Sequence, residues 1–429
     1  MWSETDLVRR LCLALDMAGR AVDLMAADGF TDPDDASLSI RGEKVVGETA
    51  LLLLAASPAA SNGEIRQRVE FVARRLLPYA RGERVRARIC LEPSLALEHA
   101  LAHICLSRLG YLDPGLDELL SASLQADCAG GCERLPHRQL EQEWTRRTWN
   151  PSPHASRVDA RLPGRTALGR PTDLLSLRKD DVYAFTHALM YLTDLGARRA
   201  RPPRSPTVLA AEADAALASC LDEPDYDLGG EVLLTWPYLQ RRWSASATAG
   251  FAVLASVEDR VGFLPAPGVS QDHMNTLGQD QRDRYVVTRS YHTAFVMGLL
   301  CAAALGEGRR PPVHIPDHGR HRGAAAEFLA LIGPLDPKPD WRKHVEALPD
   351  AEQDATAPLL FNICLRRAAS RRDLSVLRAA LLVGQRHGLL DAPAPRQAAQ
   401  LLHRGARFAD VFPEKAGEAP AGLRAGGTG

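Results

Sequence analysis

Lysine is nearly missing from this chain. Of 52 basic residues only Lys44, Lys179, Lys338, Lys343 and Lys415 are lysine, and the rest are arginine. With the abundant alanine, this bias points to a GC-rich, actinobacterial genome rather than to arginine-specific chemistry. Net charge is equally scant, since 53 acidic residues leave a formal −1. A chain this neutral has no broad field to steer nucleic acid or an anionic membrane, and neither is expected as a partner. The basic cluster ARRARPPR (197–204) sits in proline-rich text and reads as a solvated loop. Long apolar runs are lacking too. The longest, ALLLLAASPAA (50–60) and AFVMGLLCAAALG (294–306), fall short of the roughly 20 residues that span a bilayer. The opening MWSETDLVRRL carries early acids and no apolar h-region, so a cytoplasmic protein is expected. The eight cysteines are scattered, mostly in helical apolar text where a reduced thiol acts as a small hydrophobe. The one close pair, in DCAGGC (127–132), has no further zinc ligands nearby. P-loop, GxGxxG, GxSxG and DDxxD patterns are absent, so nucleotide, Rossmann, serine-hydrolase and class I terpene-synthase readings have no support.

What is present is helical periodicity from end to end, with little strand-like alternation. The pattern predicts helices over 4–27, 43–57, 63–80, 91–110, 113–127, 180–196, 205–222, 231–243, 244–262, 284–306 and 323–333, and two more within 356–404. One all-helical domain over 1–412 is expected, with a possible sub-boundary in the Pro-, Arg- and Gly-rich text of 147–175. That text reads as a long surface loop, of the kind that often covers a site. The tail, 413–429, is expected to be disordered. A faint echo runs through the helices. His99-Ala-Leu-x-His103 resembles His187-Ala-Leu-x-Tyr191, and Tyr291-His292 opens a third such helix. The echo fits helical hairpins arranged around a centre, whose inner helices turn polar residues to a shared cavity. An all-α helical-hairpin array or α/α toroid is the expected fold, with an irregular bundle as the alternative.

FTHALMYLTDLG (185–196) is too polar for a routine packed helix. His187 and Asp194 are two turns apart on one face with Tyr191 between them, and Thr186 lies alongside. A histidine acting as a base needs an orienting acceptor, commonly a carboxylate. A carboxylate is also disfavoured at a helix C-terminus, which makes Asp194 stand out. SYHTAFVMGLL (290–300) sets Tyr291 and His292 at the front of an apolar helix, and ERLPHRQLEQEW (133–144) offers His137 and Arg138 as anion donors. His99 and His103, at i and i+4, are the alternative metal pair, although Glu98 precedes His99 and the zinc-protease pattern is absent. HIPDHGRHRG (314–323) is rich in histidine but reads as an exposed loop.

ERLPHRQLEQEW, THALMYLTDLG and YHTAFVMGLL together resemble a group of actinobacterial proteins associated with natural-product gene clusters, over roughly residues 85–305. The chain is also similar to the aziridine-forming enzymes of azinomycin-type pathways. That resemblance implies a tailoring enzyme that works with a second protein subunit and lets a substrate amine displace a neighbouring sulfate. It carries no catalytic positions onto this chain. From the residues themselves, Asp194 with His187 can serve as base, and Arg138, His137 or His292 can receive the sulfate. Tyr191 joins the catalytic set, with Thr186 and Tyr291 beside the substrate. A small-molecule substrate and no cofactor are expected. The alternatives are a metal-dependent hydrolase or oxygenase, and a non-catalytic scaffold binding a peptide or protein.

Overall fold

The computed structural model describes residues 1–28, 42–150, 159, 161–315, 319 and 321–411. It is all-helical, with no strand among the described residues. Six helices form a closed ring: Gly42–Ala56, Leu101–Arg108, Pro136–Trp149, Lys179–Leu192, Tyr226–Leu233 and Gln279–Ala304. Each packs on the next, and the last returns to the first. A second layer stands behind. Glu4–Asp28 and Gly63–Arg81 back the first and last ring helices, and Pro206–Asp222 and Ala245–Val261 back Tyr226–Leu233. The C-terminal helices Ala357–Ser370 and Pro393–Val411 extend the outer layer over Pro206–Asp222. This is the α/α toroid that the internal echo predicts. No helix among the described residues is long and apolar enough to cross a membrane.

Local chemistry explains many of the ends. Asn62 accepts from the Glu64 and Ile65 amides and starts Gly63–Arg81. Asp225 accepts from Leu228 N to start Tyr226–Leu233, and Pro136 and Pro206 occupy first turns, where no amide is needed. Two ring helices meet others at unusually short range because they carry glycine. A Cβ on Gly230 would lie 2.6 Å from Val296 Cγ1, and one on Gly298 would lie 2.6 Å from Ala14 Cβ.

Several boundaries differ from the sequence reading. The helix expected over 91–110 is broken. Glu83–Leu91 ends before Pro93, a 3₁₀ turn follows, and Ala96–His99 is separated from Leu101–Arg108 at Ala100. Proline disfavours helical backbone in the residue before it and lacks the amide the helix would need. The helix expected over 180–196 stops at Leu192, and Asp194, Leu195 and Gly196 follow with φ of 53°, 53° and 82°. The helix expected over 231–243 begins earlier, at Tyr226, and is interrupted at Leu234. The polar text of 133–144 forms most of Pro136–Trp149. The described part of 147–175 is not a surface loop throughout. Leu162, Leu168, Leu174 and Leu175 are buried in the same cluster that runs from Leu7 to Ala398. Three C-terminal helices form where two were expected. The tail, 413–429, lies outside the described residues.

Candidate active site

The ring encloses a cavity of roughly 1210 Å³, and every ring helix contributes to its wall. The segment Arg165–Asp173 lies across its rim, so part of the 147–175 text does cover a site. Inside, ionisable side chains converge from four of the six helices. His292 of Gln279–Ala304 is the hub. Its Nδ1 lies 3.0 Å from Glu48 Oε2, and its Nε2 lies 3.5 Å from Asp227 Oδ1 and 3.8 Å from Glu231 Oε1. His187 approaches the same acid, with Nε2 3.6 Å from Glu231 Oε1. About a quarter of each imidazole is exposed, 26% for His292 and 24% for His187.

Hydroxyl donors hold the acids in place. Thr186 Oγ1 donates to Glu231 Oε2 at 2.6 Å, and the Tyr183 hydroxyl donates to Asp227 Oδ2 at 3.0 Å. The Tyr291 hydroxyl bonds Glu48, and Lys44 Nζ stands 3.6 Å from Glu48 Oε1. Four buried atoms of the cluster have no hydrogen-bond partner, Glu48 Oε2, His187 Nδ1, Asp227 Oδ1 and His292 Nδ1, although all but His187 Nδ1 lie at ion-pair distance from a neighbour. An unsatisfied buried carboxylate oxygen is costly in a resting protein and is the group an incoming donor would satisfy.

Protonation follows from burial set against neighbours. Burial disfavours the His292 imidazolium, yet Glu48 and Asp227 outweigh it and push its pKa up to about 9. Burial also opposes protonation of His187, and Glu231 again prevails and raises its pKa. Glu48 and Glu231 are held below the usual carboxylate range, because the facing histidines overcome burial. Asp227 goes the other way. Burial, reinforced by the adjacent Glu231, lifts it above that range against the pull of His292. The cluster thus contains two histidines biased towards the imidazolium form and one carboxylate more basic than the rest.

A second group forms the wall beside His187. The Tyr191 hydroxyl donates to Glu141 Oε1 at 2.9 Å, and Arg138 Nη1 donates to Glu141 Oε2 at 2.6 Å. The His137 ring stands 6.3 Å from that of His187, and its pKa is lowered by burial and then by Arg138 and His187. His187, His292, Thr186, Tyr191, His137 and Arg138 therefore line one cavity, and Tyr291 braces it. Asp194 does not. Beyond the helix end it accepts from Trp144 Nε1 at 2.6 Å and lines a separate cavity. The expected pairing of Asp194 with His187 on one helical face does not form, because the chain has left the helix.

His99 and His103 are also apart from the cavity. The break at Ala100 places them in different helices, and each engages its own carboxylate: His99 with Glu92 at 2.9 Å, His103 with Asp117 at 3.0 Å. Among the described residues no three His, Cys, Asp or Glu side chains are arranged to hold a metal ion. Of the histidine-rich text 314–323, His314 meets Glu352 and His321 meets the His387 carbonyl, while Asp317 and His318 lie outside the described residues.

The sequence reading missed the acids. Asp227 and Glu231 had a signal: they sit at i and i+4 in a segment with Gly229 and Gly230 and apolar neighbours, and all eight residues of Tyr226–Leu233 are buried. Gly230 allows this helix onto Val296, one turn from His292. No curated protein and no solved structure gives a significant match to the chain. A family model described as a domain of unknown function, DUF6895, matches residues 13–302, about two thirds of the length, and the chain belongs to that family.

Proposed function

We propose that the chain is a cofactor-free enzyme that activates a substrate amine by proton transfer inside the toroid and lets it displace an anionic leaving group, closing a strained ring. The observation that carries this reading is Asp227: a buried carboxylate of raised basicity, lining the cavity, whose Oδ1 has no hydrogen-bond partner and only the 3.5 Å approach of His292 Nε2. A substrate ammonium gives one proton to Asp227 Oδ1. The freed nitrogen lone pair attacks the neighbouring carbon, and the C–O bond breaks with its electron pair on the departing sulfate. The ring nitrogen then loses its second proton to solvent. Glu231 and Glu48 stay ionised beside the imidazolium ions and hold the ammonium before transfer. Arg138 meets the leaving group with the guanidinium donors not engaged by Glu141, and His137 adds a neutral donor. Tyr191 is a positioning residue that fixes Glu141 and through it Arg138.

The test is release of inorganic sulfate from vicinal amino-alcohol sulfate esters, read by ion chromatography. Wild type is expected to exceed Asp227→Asn by about 10²–10⁴-fold, the range for a positioned general base. Equal rates for the two proteins, or no release above the uncatalysed background, would sink the reading.

A further inference from the structure

Depth in the cavity can be read along the ring helices, because they run in one direction. The main cavity takes their earlier residues. A second cavity, of roughly 640 Å³, takes later residues of four of these segments: Leu54, Arg108, Leu195 and Ala302 among them. Tyr226–Leu233 leads the same way, since Tyr238 just beyond it packs on Gly196 of the second cavity. Glu48, His187, Glu231 and His292 thus form an ionic layer. Three residues further along each chain stand Leu51, Met190, Leu234 and Phe295, and all four line the same cavity. Residues three apart share a helix face, and a rise of 1.5 Å per residue sets this second layer about 4.5 Å deeper. Glu48, His187, Glu231 and His292 thus each have an apolar residue one turn further on, whereas Asp227 is followed at that spacing by Gly230 and Glu231.

We infer that the substrate is an amphiphilic amine, whose nitrogen stops at the ionic layer while an apolar group next to it fills the floor made by Leu51, Met190, Leu234 and Phe295. This rests on the amine reading above and adds the substrate class. The floor side chains keep only small exposed faces, between 2% and 8%, and an amine alone would leave those faces uncovered in a cavity larger than a small polar head requires. An apolar group on the nitrogen side gains the transfer energy of each methylene it places there. Discrimination between substrates then resides in the floor, whereas the chemistry resides in the layer above.

The experiment is calorimetric titration of the full-length chain with n-propylamine through n-octylamine, repeated on Asp227→Asn and Met190→Trp. Affinity is expected to rise about fourfold per methylene until the floor is filled. Asp227→Asn should weaken the whole series by one factor. Met190→Trp should cap the rise at the shorter amines, and an unchanged far-UV circular-dichroism spectrum and melting midpoint show that the variant is folded. Asp227-dependent binding that is flat with chain length overturns the apolar floor and spares the amine reading. A rise that Met190→Trp leaves untouched places the chain elsewhere and also overturns the floor. Binding indifferent to Asp227→Asn, or none at all, overturns both.

Discussion

His292 and His103 make the same kind of contact and end in opposite states. Each has an imidazole nitrogen 3.0 Å from a carboxylate oxygen. His103 is fully enclosed, the acid it contacts, Asp117, is shared with Trp149 Nε1 at 2.7 Å, and burial with the nearby Arg81 lowers its pKa. His292 faces three carboxylates and opens on a cavity, and its pKa rises to about 9. The acid beside His103 is already spent on a neighbour. Around His292 three acids converge, each held by a hydroxyl of its own, and the imidazole bridges all three. A histidine–carboxylate contact is therefore not itself the mark of a site; unspent acid next to open space is.

The sharpest way to break this contrast is to remove each ring. His292→Ala leaves Asp227 beside Glu231 without a facing cation, with Lys44 on Glu48 and His187 on Glu231, and should cost about 3–5 kcal/mol in urea unfolding at neutral pH. The loss should shrink below pH 4, where the acids take up protons. His103→Ala should cost about 1–3 kcal/mol, from an unsatisfied Asp117 and a small void. If His103→Ala proved the more damaging at neutral pH, the contrast would fail. The second test is the sign of the pH dependence. His292, raised above its unfolded value of about 6.5, contributes stability that is complete below that pH and is lost as pH rises through about 9. His103, lowered, contributes stability present above about pH 6.5 and lost as pH falls through its folded pKa. Imidazole C–H resonances followed by NMR should titrate in that order. Glu48→Gln should then move the His292 midpoint down by about one unit or more, since Glu48 is its strongest favourable neighbour. An unmoved midpoint would remove Glu48 from the cluster.

How much of this was legible in the sequence follows from what each signal measures. Periodicity is a one-dimensional trace of burial, so the helices and the layered ring could be read from it. The echo between His99, His187 and His292 marked ring helices correctly, since all three stand on or beside them. Breaks were harder. Ala100 interrupts a run of good helix formers because Pro93 and the packing around His103 constrain it, and only the latter is tertiary. The histidines of the site were visible because a histidine in an apolar helix is conspicuous. Glu48 was not, because with Lys44 four residues before it on the same helix it reads as half of an ordinary ion pair. Asp194 was conspicuous for the wrong reason: its carboxylate looked misplaced at a helix end, but the helix had already ended.

Asp194 gives the smallest expected effect and the finest test of which acid belongs to the site. It holds φ 53°, accepts from Trp144 Nε1, and faces the second cavity. Asparagine tolerates the left-handed backbone and keeps an oxygen acceptor. Asp194→Asn should therefore leave stability within about 0.5 kcal/mol of wild type, and sulfate release unchanged. Asp194→Ala should cost about 1–3 kcal/mol, because a buried indole N–H loses its acceptor and the backbone its favoured residue. Its turnover per folded molecule should still match wild type. A loss of turnover in the asparagine variant, with stability intact, would bring the negative charge of Asp194 back into the mechanism. The acid that matters would then act through Trp144 and Tyr191, whose rings lie 5.3 Å apart and tilted at 43°, from the far side of the cavity wall.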